Sequence, residues 1–299
     1  VLDGINLKVQ KGETLGLVGE SGCGKSVTGL SILQLIPNPP GEITQGEIIF
    51  DGENLLEKSI NEMREVRGGQ IAMIFQDPMV SLNPVYTSGN QIAEAIDLHQ
   101  PKGLSSTWQG VVDSLDSVQI ADPASRAHNY PHQFSGGMRQ RGMIAMMLSC
   151  RPSLLIADEP TTALDVTVQA QVLQVMAELQ KELNMAMILI THNIGVVAET
   201  CDRVAVMYAG NIVETADVEI LFESPQHPYT RGLLGSIPRA DRDMNKLTII
   251  KGSVPNLTNP PQGCRFHPRC QEAMDICRTT KPADFDLGES HIVACHLYR

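Results

Sequence analysis

The run Thr14-Leu-Gly-Leu-Val18 followed by Gly19-Glu20-Ser21-Gly22-Cys23-Gly24-Lys25-Ser26-Val27 decides the fold. An apolar strand enters a glycine-rich loop, and a lysine and a serine open the next segment. G-x-x-x-x-G-K-[ST] between a strand and a helix is a phosphate cradle. Glycines let successive N–H groups turn toward phosphate oxygens, and the helix N-terminus adds partial positive charge. Residues 19–27 are therefore expected to bind a nucleotide triphosphate, with Lys25 on the terminal phosphates and the Ser26 hydroxyl on magnesium.

Working outward, three more apolar strands end on polar residues. Residues 70–75 end at Gln76, residues 154–157 at Asp158-Glu159, and residues 187–190 shortly before His192. A helix over 167–183 separates the last two strands, and strand–helix–strand is the pattern of a parallel sheet. Carboxylates at the C-terminal edge of such a sheet lie beside the glycine loop. Asp158 is expected to hold the magnesium shell, and Glu159 to act as general base toward water. A lone glutamine or histidine at a strand end is usually structural, so Gln76 and His192 gain meaning only from their company.

Residues 5–9 alternate, 47–50 with Asp51-Gly52 read as a strand and turn, and 204–208 with 212–214 as a hairpin. Together they suggest an added antiparallel layer. Helices are expected over 25–36, 88–98 and 110–118, with 100–109 as a polar link. A further helix, capped by the Ser135 hydroxyl, is expected to run through Met147. The expected fold class is α/β: a P-loop-type parallel core, an antiparallel β layer, a helical subdomain inserted at about 77–150, and a loop-rich extension. The boundary is placed at residue 224, giving a nucleotide-binding domain over 1–224 and an extension over 225–299.

The net charge of −11 argues against a protein that tracks nucleic-acid phosphates, which normally carries a basic face. No apolar run reaches the ~18–20 residues needed to span a bilayer, so any membrane crossing is expected from other chains. No secretory signal is visible. Val1 opens mid-pattern, which reads as a trimmed start.

With Phe134-Ser135-Gly136-Gly137-Met138-Arg-Gln-Arg141 added to these motifs, the chain resembles the ATP-binding-cassette ATPases. The resemblance implies that Ser135, Gly136 and Gly137 close over the γ-phosphate of ATP held by a second, identical or paralogous, subunit. Asp165 would sit on the dimer seam, its alternative role being a helix cap. Gln76 would touch magnesium and the attacking water and link them to the helical subdomain, and His192 would sense the γ-phosphate. Asn193 stands where the family more often has aspartate, and Met138 where many cassettes have glutamine. The adenine-stacking aromatic of the family is expected upstream of Val1.

The tail narrows the resemblance. Ser224-Pro-Gln-His227-Pro228-Tyr229-Thr230, Ile237-Pro238-Arg239, and Gly263-Cys264-Arg-Phe-His-Pro-Arg-Cys270, with Phe75-Gln-Asp-Pro-Met-Val-Ser-Leu-Asn-Pro84 upstream, look like the oligopeptide/dipeptide importer ATPases. That implies a peripheral ATPase on the cytoplasmic face of a prokaryotic membrane, working with two membrane-spanning permease subunits and an external solute-binding protein. Its own membrane contact would run through the permeases only. The solute would be a peptide or, in relatives, nickel or another small solute. A soluble cassette ATPase and a non-hydrolysing metal-regulated module are the competing readings.

Cys264, Cys270, Cys277 and Cys295 match neither the C-x2-C pairs of zinc ribbons nor a ferredoxin run. Members resembling this tail are associated with a 4Fe–4S cluster, and the resemblance implies these four thiols as its ligands. Zinc, with His267, His291 or His296 replacing a thiol, and free thiols remain the alternatives. In either metal case the group would staple a segment too small to hold itself together.

Overall fold

The computed structural model describes residues 1–76, 82–100, 103–162, 164–236 and 250–298. The proline-rich loop at 77–81, Ala163 and the Ile237-Pro238-Arg239 motif lie outside the described residues.

The strand–loop–helix unit forms as the sequence dictates. β1 (Thr14–Val18) is buried along its whole length and feeds the loop into α1 (Lys25–Ile32). Four more strands join it: β4 (Ile71–Ile74), β5 (Leu154–Asp158), β6 (Ala186–Ile190) and β7 (Arg203–Tyr208). They run parallel in the order β4-β5-β6-β1-β7, in register Leu15 to Ile188 and Ile156 to Ile188. Strands buried on both faces read as continuous apolar runs, which is why their composition was so plain.

Alternate residues of each strand feed two cores. Leu15, Leu17, Met73, Ile156 and Ile190 pack on one face with Leu33, Leu55, and Met63 and Val66 of α2 (Ile60–Val66). Val18, Ile74, Leu155, Ala157 and Leu189 pack on the other, against α5 (Gly136–Leu148), α6 (Val166–Glu182) and α7 (Ile194–Thr200). The inserted subdomain is α3 (Ser88–His99) and α4 (Leu104–Ser117), whose Ile92, Ile96, Val111 and Leu115 meet the α5 side of the core.

Four expectations are corrected. α1 ends at Ile32 rather than 36, because Leu33 and Gln34 leave helical geometry, Gln34 at φ 50°. α4 begins at Leu104, inside the expected link, because its first turn buries Thr107, which donates to Asp97 Oδ1 at 2.5 Å. Residues 5–9 alternate in exposure but form no strand. The antiparallel layer there shrinks to β2 (Ile49–Phe50) against β3 (Glu53–Asn54).

The hairpin of β7 and β8 (Asn211–Asp217) turns at Ala209 and Gly210, both at positive φ, as a two-residue turn requires. Beyond it the tail joins the main sheet. β10 (Ile292–Val293) pairs antiparallel with β8 and with β9 (Phe285–Asp286), so the sheet runs to eight strands. Buried Glu214 on β8 anchors this junction. Its carboxylate accepts from the N–H groups of Gln226 (2.7 Å) and His227 (2.9 Å) and meets His291 Nε2 at 2.8 Å. No helix among the described residues is long and apolar enough to cross a membrane.

Candidate nucleotide site

The parallel strands deliver their C-terminal ends to one edge, and the predicted polar residues gather there. The N-cap of α1 is Gly24, φ 113°, which supplies no side-chain cap. The first N–H groups of α1 are left for another acceptor, which is how a helix start takes up phosphate. By contrast α5, α6 and α7 are capped by Ser135, Asp165 and Asn193. The loop has no slack at its start. A Cβ on Gly19, φ 153°, would stand 2.1 Å from the Met207 carbonyl oxygen. Lys25 is buried and donates to the carbonyls of Gly19 (2.8 Å) and Glu20 (3.2 Å).

Asp158 ends β5 with the Ser26 hydroxyl beside its carboxyl. Burial first, then the neighbouring Glu159 charge, push the Asp158 carboxyl up, against the lowering effect of Ser26 and Lys25. Its Oδ1 is buried with no protein partner. A buried, unpartnered carboxylate oxygen next to a hydroxyl is a donor set suited to a hard divalent cation.

Glu159 sits at φ 47°, in the left-handed region, with its N–H donating to the Ile190 carbonyl at 2.9 Å. Backbone strain of this kind concentrates at functional positions. Gln76 Nε2 donates to Glu159 Oε2 at 3.2 Å, the Thr162 hydroxyl donates to the same oxygen at 3.0 Å, and His192 Nδ1 meets Oε1 at 3.0 Å. Burial raises the Glu159 carboxyl, but the hydrogen bonds from His192 and Thr162 and the charges of His192 and Lys25 outweigh it, leaving the group below the ordinary glutamate value. Gln76, Glu159 and His192 thus form one hydrogen-bonded group.

Ser135 and Gly136 are exposed at the start of α5, 22 or more residues upstream of Asp158 in sequence and facing solvent. Ser135 Oγ accepts from Met138 N–H at 3.3 Å. Asp165 is exposed and caps α6 through Val168 N–H at 3.0 Å, so within one subunit it does the work of a cap. Asn193 caps α7 through Gly195 N–H at 3.0 Å, a task asparagine performs as well as aspartate.

Sequence reasoning missed four participants. Thr162 orients Glu159, and the Gln140 side chain of α5 donates to the Pro160 carbonyl, tying the glycine-turn helix to the acidic turn. Tyr229 and Arg269 reach the phosphate loop from the extension. Only Thr162 carried a local signal, as the hydroxyl three residues past Glu159.

The four C-terminal cysteines are free thiols. Burial pushes Cys264 up to about 11, and Cys277, Cys295 and Cys270 add to the rise, so the four lie in one electrostatic neighbourhood. Among the described residues, no three His, Cys, Asp or Glu side chains converge to hold a metal ion. The histidines weighed as zinc ligands have other partners: His267 the Cys264 carbonyl, His291 Glu214, and His296 the Thr280 carbonyl.

A cradle, an acidic strand end and a serine-glycine-glycine turn on this sheet define an ATP-binding-cassette ATPase. The ABC transporter family profile matches residues 2–162, and that of the oligopeptide/dipeptide transporter C-terminal region matches 213–277. The probable peptide ABC transporter ATP-binding protein y4tR of Sinorhizobium fredii is 54% identical, over 98% of this chain and 88% of its own. The dipeptide transport ATP-binding protein DppD of Escherichia coli is 50% identical over 99% and 90%, and the oligopeptide transport protein OppD of Bacillus subtilis 51% over 97% and 81%. The chain belongs to the ATP-binding subunits of the oligopeptide/dipeptide ABC transporter family. Among solved structures, cbiO1 of Clostridium perfringens, part of an ABC transporter complex, superposes with TM-score 0.65 at 27% identity, over 75% of this chain and 84% of its own. The dimeric ATP-binding cassette MJ0796 bound to ADP and phosphate shares the fold, with TM-score 0.64 over 73% and 90% at 24% identity.

Proposed function

We propose that this chain binds and hydrolyses ATP to power import of di- or oligopeptides. One observation carries the reading: Lys25, Ser26 with Asp158, and the Gln76–Glu159–His192 group meet at one sheet edge around an uncapped helix start. Residues 19–27 hold the triphosphate, with Lys25 on the β and γ phosphates. Ser26, Gln76 and Asp158 would hold Mg2+, which neutralises developing phosphate charge. Glu159, oriented by Gln76, Thr162 and His192, takes a proton from the attacking water. In a head-to-tail pair of cassettes, Ser135, Gly136, Gly137 and Asp165 face the partner's ATP, and the exposure of that turn supports the arrangement.

The partners are a second ATPase subunit, two permeases and an external binding protein, which leaves this chain peripheral on the cytoplasmic face of a prokaryotic membrane. The division into 1–224 and 225–299, with the helical subdomain near 77–150, is retained as a functional one. The test is peptide-stimulated ATPase activity of the assembled transporter in vesicles. Turnover that ignores peptide and binding protein would refute the import reading.

For the four cysteines we favour a 4Fe–4S cluster. Four free thiols in one electrostatic neighbourhood support it. Ligands on one zinc ion, at Zn–S about 2.3 Å, crowd to within ~4 Å of each other. A cubane binds one thiolate per iron, so its four thiolates stand wider, and metal analysis distinguishes the two. Chain purified without oxygen should carry about four irons and matching sulfide. One zinc and no sulfide would refute the assignment.

A further inference from the structure

The phosphate loop is gripped from behind by the C-terminal extension. Glu20, the second residue of the loop, is held twice. Its backbone N–H donates to Tyr229 Oη at 2.9 Å, and its Oε2 accepts from Arg269 Nη1 at 2.8 Å. Its carbonyl is one of the two that hold Lys25. Arg269 is itself locked. Its side chain is only 7% exposed, Nε donates to the Lys251 carbonyl at 3.1 Å, Nη2 to the Ile250 carbonyl at 3.4 Å, and the guanidinium lies 5.7 Å from the Tyr208 ring centre. Tyr229 is equally fixed, with its ring 4.7 Å from Tyr208 and 5.4 Å from Phe266. Phe266 and Arg269 belong to the cysteine loop, where the N–H groups of Arg269 and Cys270 donate to the Phe266 carbonyl.

Arg269 and Tyr229 act on the peptide of the phosphate loop itself, through Glu20. A buried arginine with five donors in a rigid fork orients a carboxylate more tightly than a flexible lysine can. Preorganised loop N–H groups also spare nucleotide binding the entropy of ordering the loop.

We propose that Arg269 and Tyr229 are positioning residues of the nucleotide site, setting the affinity of the phosphate loop through Glu20. The loop bearing Cys264 and Cys270 thereby becomes a determinant of ATP affinity 249 residues upstream. This inference rests on the nucleotide-site reading above.

The test uses the full chain and titrates ADP and ATP separately by calorimetry. Arg269→Ala should weaken both about five- to tenfold, because it acts on loop geometry and not on the γ-phosphate. Arg269→Lys should recover at least part of the loss. Tyr229→Phe keeps the packed ring and removes only the acceptor, so it should weaken both nucleotides at least threefold with an unchanged melting temperature. In the assembled transporter the Arg269 variants should raise KM for ATP and leave kcat within twofold. Glu20→Gln combined with Arg269→Ala should be no weaker than the worse single variant. Independent, multiplying effects in that double variant, or Arg269→Ala and Tyr229→Phe both within twofold of the parent, would overturn the proposal. Lys25→Ala separates the two levels: if it leaves affinity unchanged, the nucleotide-site reading itself falls.

Discussion

Replacing Glu159 with glutamine isolates the charge of the proposed general base from its scaffold. The carboxylate has Gln76 and Thr162 donating to one oxygen and His192 Nδ1 at the other. A glutamine can keep the first two bonds with its amide oxygen and donate its N–H to His192, provided the imidazole takes the tautomer with Nδ1 bare. The hydrogen-bond count is preserved, so folding stability should change by less than about 1 kcal/mol. Catalysis should not be preserved, since an amide cannot accept the water's proton. General-base removal costs roughly 10²–10⁴-fold in rate, or about 2.7–5.4 kcal/mol of barrier at ~1.36 per decade. The assay is single-turnover hydrolysis by the assembled transporter, with nucleotide affinity and melting temperature measured in parallel. Turnover within tenfold of the parent, at unchanged affinity, would refute the assignment. The acid limb gives a second reading. Because the folded Glu159 carboxyl lies below its ordinary value of 4.5, its contribution to stability is complete above about that pH and is lost as pH falls through the folded value. The glutamine variant should lack that component in acid denaturation.

Gly136→Asp should fold normally, since a Cβ there meets only Leu164 at 3.8 Å and an acidic residue suits a helix start. It should bind ATP yet lose ATP-induced dimerisation, read by size-exclusion chromatography, because in the proposed head-to-tail pair the new charge would face the partner's γ-phosphate. Buried His227 is held neutral, its pKa pushed down to about 3 by burial and then by Arg231, while its Nδ1 caps α8 (Pro228–Gly235) by accepting from Tyr229 N–H. Unfolded chain takes up that proton from about pH 6.5 downward, so stability should fall by up to roughly 1.4 kcal/mol per unit as pH drops from 6.5 toward 3. His227→Asn, which keeps a cap, should flatten the loss in urea denaturation at pH 7 against pH 5. Gly19→Ala should abolish nucleotide binding and lower the melting temperature, because its Cβ has the Met207 carbonyl at 2.1 Å and nowhere to go.

The parallel core was legible because each of its strands is buried on both faces and must be apolar throughout. The gathering of Gln76, Asp158, Glu159 and His192 was legible because they sit at or near strand ends, so position along the chain translates directly into position at the sheet edge. Legibility failed where packing decided. The α4 start looked like a linker because Gly103 and the serines that follow favour caps and turns, and only tertiary burial of Thr107 tips the balance. Residues 5–9 show the alternation of a strand without one, since alternation records which side is buried and not whether a neighbour offers hydrogen bonds. Arg269 was invisible as a site residue because nothing in a Cys-flanked arginine announces a carboxylate 249 residues away.

The junction at Glu214 has a consequence for anyone who would cut this chain. A break at residue 224 looks natural in sequence, yet it would strand a fully buried carboxylate without Gln226, His227 and His291. It would also strip β10 from β8 and open that strand as a sheet edge, an invitation to aggregation. Hybrid subunits that graft this tail onto another cassette should therefore exchange β8 along with it. The unit of inheritance at this end of the molecule begins inside the ATPase sheet, before the last strand that looks as though it belongs to the nucleotide-binding half.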